Sequence, residues 1–184
     1  GFANAVIGFV IMHFSDDPVA AVLPAAGLIG DDQPVVSSTA ILLCVRNELP
    51  RRIIRNLDTM LGGLHASGYG GRFHLYILSD TSDADLAASE EALFAELIDR
   101  CRDRIAIDYR RRTENTGFKA GNVREFCERW GSRHEFAVTL DADSFMSADA
   151  IIRLVRIMQV DPTLGSLQGL VVGLPSTSLF ARIF

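Results

Sequence analysis

From Ser38 onward the chain alternates short apolar runs with stripes of apolar residues at helical spacing. That is the pattern of a largely parallel sheet with helices between its strands. Thr39 to Val45 is almost wholly apolar, as a strand covered on both faces should be. Pro50 opens the next segment, where Ile53, Ile54, Leu57, Leu61 and Leu64 mark one helical face until Gly62-Gly63 loosens it. Phe73 to Leu78 predicts a second strand, ending in Ser79-Asp80, and Asp83 is placed to cap a helix that buries Leu86, Leu93, Phe94, Leu97 and Cys101. Arg104 to Tyr109 alternates polar with apolar residues, as a strand near the sheet edge does. A short helix is expected to start at Asn122, with Glu125 at capping-box spacing and Val123, Phe126, Cys127 and Trp130 as its apolar stripe. Phe136 to Leu140 reads as a buried strand, Ala148 to Val160 as the helix after it, and Ser166 to Val172 as a last strand.

The N-terminal residues break this rhythm. Gly1 to Phe14 carries no ionisable side chain except His13, yet it is shorter than the ~20 apolar residues that span a bilayer. It also lacks the basic start and cleavage site of a secretory signal. The expectation is the end of a transmembrane helix over residues 1–14; the alternative is a core or interfacial helix. Residues 15–37, rich in Asp, Pro, Gly and Ser, are expected to be a linker, with Val19 to Ile29 resting on a membrane or on the domain. Residues 38–184 form the expected α/β unit, and the large apolar side chains of Leu179 to Phe184 suggest that the fold continues beyond them.

Composition narrows the choice of partners. The 184 residues can bury one substantial core, and a formal net charge of −5 leaves no basic surplus for a nucleic-acid surface. A phosphate-bearing ligand stays possible, because local cations or a metal can neutralise it. Cys44, Cys101 and Cys127 are widely spaced and read as small buried hydrophobes in a reducing compartment.

Chemistry gathers where strands end. The strand Phe136 to Leu140 runs into Asp141 and Asp143, two hard oxygen ligands at the carboxyl end of a strand, where open α/β sheets bind their ligands. Such a pair suits Mg2+ or Mn2+, which keep waters and take further ligands from substrate phosphates. The plainer alternative is a helix cap beside a solvated carboxylate. Asn47-Glu48 follows the first strand and Asp80 the second; by themselves these read equally as a turn with a helix start and as an Asx-turn. In Thr116-Gly-Phe-Lys-Ala-Gly-Asn122, the glycines allow close backbone approach, Lys119 offers a compact cation for phosphate, and a helix beginning at Asn122 would present free N–H groups to an anion. Arg110-Arg111-Arg112 reads as a solvated run.

Taken in order, Val45-Arg-Asn-Glu48, Leu78-Ser-Asp80, Lys119-Ala-Gly-Asn122 and Asp141-Ala-Asp-Ser144 resemble the inverting family 2 glycosyltransferases. Tyr109-Arg-Arg-Arg112, Phe126-Cys-Glu-Arg-Trp-Gly131 and Leu140-Asp-Ala-Asp-Ser-Phe-Met-Ser147 sharpen the likeness to the membrane glucosyltransferases of bacterial periplasmic glucan synthesis. The resemblance implies a GT-A fold and a UDP-sugar donor, UDP-glucose first. It also implies a glucan acceptor and an inner-membrane protein whose catalytic domain is cytoplasmic. It implies that Asp80 hydrogen-bonds the uracil, that Asn47 and Glu48 lie beside the nucleoside, and that Lys119 and Asn122 sit near the diphosphate. Asp141 would face the nucleotide, and Asp143 would ligate the metal. Leu43-Cys44 stands where the family commonly has a proline. Neither Thr-Glu-Asp, which carries the family's general base, nor Gln-x-x-Arg-Trp occurs, so both are expected beyond Phe184. A dinucleotide oxidoreductase is excluded by the absence of Gly-x-Gly-x-x-Gly after the first strand. A membrane-tethered sensor that binds UDP-sugar without transferring it remains an alternative.

Overall fold

The structure, a computed structural model, describes residues 2–169. Three helices come first: α1 (Phe2–Phe14), α2 (Pro18–Val22) and α3 (Pro24–Gly27). The α/β unit follows as β1 (Thr39–Val45), α4 (Pro50–Ala66), β2 (Phe73–Ser79), α5 (Ala84–Cys101), β3 (Ala106–Arg111), α6 (Phe118–Trp130), β4 (Phe136–Asp141) and α7 (Ala148–Val160). All four strands are parallel, in the order β3-β2-β1-β4. Register sets Cys44 level with both Leu78 and Asp141, and Ser79 level with Val45 and Arg111. All the strands therefore end along one edge.

Strand alternation sorts the side chains into two layers. Ile41, Leu43, Val45, Leu75 and Ile77 face the main core, against Ile53, Leu57, Leu64, Phe94, Leu97 and Ile151 of α4, α5 and α7. Ala40, Leu42, Tyr76 and Leu78 face the other way, where α6 covers them with Phe126, Val123 and Trp130. Among the described residues that side has a single helix, because α6 connects β3, at one edge, to β4, at the other, and has to cross behind β2 and β1.

Five local expectations change. The helix predicted from Asn122 starts four residues earlier, at Phe118, so Asn122 lies inside it. Phe136 to Leu140 is an edge strand with Ala137 and Thr139 exposed, because strand order leaves no described neighbour beyond it. Of the cysteines, Cys101 is buried, Cys44 half-buried and Cys127 exposed. Phe126 is the α6 residue aimed at the sheet, and its neighbour Cys127 is turned about 100° away. The helix α4 runs through Gly62-Gly63 to Ala66. A methyl at Gly63 would lie 2.7 Å from the Ala148 Cβ, so the glycine lets α4 and α7 pack closely. Ser166 to Gly169 is irregular, and the rest of the predicted last strand lies outside the described residues.

The N-terminal segment divides in two. In α1 no residue is buried, and Phe2, Phe9, Met12 and Phe14 stand exposed. Among the described residues no helix is long and apolar enough to cross a membrane. Val19 to Ile29, by contrast, partly docks on the α/β unit: Ala25 and Ala26 are buried with Ile157 of α7, flanked by Leu23 and Ile29. Gln159 of α7 strengthens this attachment by accepting bonds from the Val36 and Ser37 amides and the Ser37 hydroxyl at 3.0, 3.2 and 2.6 Å.

Candidate functional site

The edge where the strands end carries the predicted polar residues, on the α6 side of the sheet. After β1 the chain turns at Asn47, whose φ of 59° is left-handed, a region Asn tolerates better than most residues. Its amide donates to Thr81 Oγ1 at 3.1 Å, and its Oδ1 accepts from the Ser82 and Asp83 amides at 3.0 and 3.3 Å. Asn47 thus ties the turn after β1 to the loop after β2. Glu48 folds back to accept the Arg46 amide.

Asp80 is buried, at 4% exposure. Both of its carboxylate oxygens are held by Arg112, from Nε at 2.7 Å and Nη2 at 2.8 Å. This fork-to-fork pairing is the strongest geometry an arginine and a carboxylate can adopt. The same guanidinium donates to the carbonyls of Thr116 (3.2 Å) and Phe118 (3.0 Å), and Asn115 Nδ2 donates to the Asp80 carbonyl at 3.0 Å. Hydrogen bonding to Asp80 raises the Arg112 pKa, so the guanidinium stays charged. Arg112 therefore braces the loop that leads into α6. The loop itself is tightly wound: Gly117 has φ 72°, and a Cβ on Gly121 would fall 2.0 Å from the Thr116 carbonyl oxygen.

Lys119, in the first turn of α6, forms an ion pair with Asp141 at the end of β4. Its pKa is raised, first by that hydrogen bond. Both groups are at least half exposed, so the pair adds little stability, about 0–1 kcal/mol, and its partners remain available to a ligand. Asp143 is exposed in the turn that follows, closed by the Ser144 amide donating to the Asp141 carbonyl at 3.1 Å. Because the strand ends at Asp141, it is this turn, rather than strand alternation, that sets where Asp143 stands. Among the described residues no three His, Cys, Asp or Glu side chains gather around one point. Two exposed carboxylates still match an ion that takes one or two carboxylates and fills its shell with phosphate and water.

Asn122 departs from its expected place. It is 1% exposed; its Nδ2 donates to the Leu78 carbonyl at 3.1 Å, and its Oδ1 accepts from Arg110. It joins α6 to β2 from beneath and offers no free helix end to an anion.

Two participants were not expected from the sequence. One is Arg112: the arginine run reads as solvated, but strand alternation puts Arg110 and Arg112 on the α6 side and Arg111 on the other. Glu90 of α5 is completely buried, accepting from the Thr81 hydroxyl at 2.6 Å and the Tyr109 hydroxyl at 3.0 Å. Burial, followed by the Glu90 charge, drives the Tyr109 pKa well up. Through Thr81, Glu90 reaches the Asn47 amide, so it supports the loop after β2 from below. Its signal was a single acid at a core-facing position of a helix, which sequence alone cannot separate from a solvated one.

Residues 40–182 match the family described as Glycosyl transferase family 2. The glucans biosynthesis glucosyltransferase H of Vibrio cholerae is 36% identical over 182 residues, covering 99% of this chain and 24% of the relative. The protein of the same name from Shewanella baltica is 41% identical over 145 residues, covering 79% of this chain and 20% of the relative. The chain thus spans a quarter or less of the length of these relatives. Among solved structures, a mannosyltransferase of Pyrobaculum calidifontis in complex with GDP-Man and Mn2+ superposes with a TM-score of 0.51 at 19% identity. That match covers 87% of this chain and 45% of the other, and it supports the GT-A fold.

Proposed function

Since this chain belongs to glycosyl transferase family 2, we propose that it forms the donor-binding part of a membrane-associated glucosyltransferase that moves glucose from UDP-glucose to a growing β-glucan with inversion. The observation that carries this reading is the meeting of four distant segments at one sheet edge: Asn47-Glu48, Asp80, Lys119 and Asp141/Asp143. The names of the Vibrio and Shewanella relatives support glucose and glucan, and the ligands of the Pyrobaculum structure support a nucleotide-sugar with a divalent ion.

In this reading the base and ribose lie against the loops after β1 and β2. Asp80, anchored by Arg112, has lone pairs left to accept an N–H of uracil. Asn47 holds those two loops together, and Glu48 lines their rim. Lys119 exchanges its contact with Asp141 for the diphosphate, to which an ammonium is suited. Asn122 acts from beneath, fixing α6 against β2. A divalent ion, Mg2+ or Mn2+, held by Asp143 with Asp141 beside it, supplies charge to offset the departing diphosphate. The base that deprotonates the acceptor hydroxyl belongs to the part of the relatives' length that this chain does not span. The exposed apolar helix α1 supports placement at a bacterial inner membrane, with the sheet on the cytoplasmic side where UDP-glucose is made available.

Calorimetric titration of the chain with UDP-glucose, UDP-N-acetylglucosamine and GDP-mannose, with and without Mn2+, tests the proposal. Metal-dependent binding of UDP-sugars, led by UDP-glucose and lost in Asp143→Ala, is the expected result. Failure of the folded chain to bind any UDP-sugar, or a preference for GDP-mannose, would overturn it.

A further inference from the structure

A cavity of about 320 Å3 opens on the α6 side of the sheet between β2, β3 and the end of α6. It lies at the lower end of the roughly 300–1,000 Å3 usual for small-molecule sites. Arg110, Arg129 and Arg133 line it, together with Trp130, Tyr76 and Asp108. Of these residues only Arg110 reaches toward the donor edge, through its bond to Asn122 Oδ1.

The charges are unbalanced. Asp108 is the one acid in the lining, and its carboxylate is bound by His74 Nε2 at 2.9 Å. Glu125, behind the cavity, is shared: its Oε1 lies 2.9 Å from Arg110 Nη1 and 2.8 Å from Arg129 Nη2, and its Oε2 lies 3.9 Å from Arg112. Arg133 has no carboxylate partner among the described residues. Arg110 Nε is buried without an acceptor among those residues. Three guanidiniums thus face two carboxylates, one of them already occupied, in a chain whose net charge is −5.

The cations are also held in place. The guanidiniums of Arg110 and Arg129 lie over the Trp130 ring, 5.6 and 5.8 Å from its centroid. Stacked, planar donors give up little further entropy when they bind, and they match phosphate oxygens two at a time.

We propose that this cavity, formed by Arg110, Arg129, Arg133 and Trp130, is a binding site for a small phosphate-bearing anion, separate from the donor edge. Arg129 and Arg133 grip the phosphate from the open side, and Arg110 supplies charge from within.

Trp130 is the single tryptophan of the chain, so its fluorescence reports directly on the cavity. The 184-residue chain is titrated, in EDTA to silence metal-dependent binding, with inorganic pyrophosphate in one arm and glucose 1-phosphate in another. Circular dichroism confirms that each variant is folded. Saturable quenching in either arm is expected; which arm responds tells whether free phosphate or a phosphorylated sugar is the better fit. Affinity should fall about tenfold or more in Arg129→Gln/Arg133→Gln, the loss of charge-assisted hydrogen bonds. Arg133→Lys should keep part of it, and Asp143→Ala should bind as the unaltered chain does. No saturable response in either arm, undiminished binding in the double variant, or an equal loss in a Lys119→Gln variant (which would put the anion at the donor edge) would each overturn the proposal.

Discussion

Replacing Arg112 with Met removes the partner of a buried carboxylate while keeping much of the side-chain volume. The side chains of Arg112 and Asp80 are 8% and 5% exposed, and their two bonds measure 2.7 and 2.8 Å. Breaking a buried pair from one side costs about 3–5 kcal/mol, because the remaining charge has neither water nor partner. Against the roughly 5–15 kcal/mol that holds a domain together, that is a large share. Arg112→Lys keeps the charge but loses the fork and should fall between Met and the unaltered chain. Asp80→Asn should destabilise for the complementary reason. The double variant Asp80→Asn/Arg112→Met should be more stable than the sum of the two losses implies, by about 2 kcal/mol or more. Arg112's bonds to the Thr116 and Phe118 carbonyls are lost in both Arg112→Met proteins and so cancel in the cycle. Urea unfolding followed by circular dichroism measures all four. A cost for Arg112→Met below about 1 kcal/mol, the level of a surface pair, would refute the assignment, as would strictly additive losses.

Other expectations concern the loop, the ion pair and pH. Gly121→Ala drives a methyl toward the Thr116 carbonyl and should cost about 1–3 kcal/mol in urea unfolding, with weakened UDP-sugar binding by calorimetry. Lys119→Ala should leave stability within about 0.5 kcal/mol, since its pair with Asp141 is exposed, yet weaken UDP-glucose binding severalfold. Burial lowers the pKa values of His74 and His134 from 6.5; Asp108 partly opposes this for His74, and Arg133 adds to it for both. Neutral rings suit their bonds to Tyr76 Oη, at 3.2 and 2.9 Å. In the unfolded chain these histidines take up protons before the folded ones do. Their contribution is therefore present above pH 6.5 and is lost as pH falls through the depressed folded values. Urea midpoints at pH 7.5 and 5.5 should show that drop, and the double variant His74→Gln/His134→Gln should flatten it.

Much of the architecture is local and hence readable in the chain. Strand alternation and helical spacing marked β1, β2, α4, α5 and α7 because each such element buries one face or stripe, and Asp83 and Pro50 sit where helix starts need them. The polar residues after successive strands were legible as one edge, because parallel strands all end on the same side. Pairing was not legible. Arg112 looked solvated in a run of three arginines until the β2–β3 register set Ser79 level with Arg111 and brought Arg112 beside Asp80. Asn122 looked like a helix start because the glycine-rich loop hid one turn of α6, which Arg112 secures by its bonds to the Thr116 and Phe118 carbonyls. Glu90 became a buried support only through Thr81 and Tyr109, which come from two other elements. The apolar character of β4 pointed to burial on both faces, whereas among the described residues strand order places it at the edge. A residue's period depends on its neighbours in sequence, but its partner, and the water it loses, depend on which strand lies beside it.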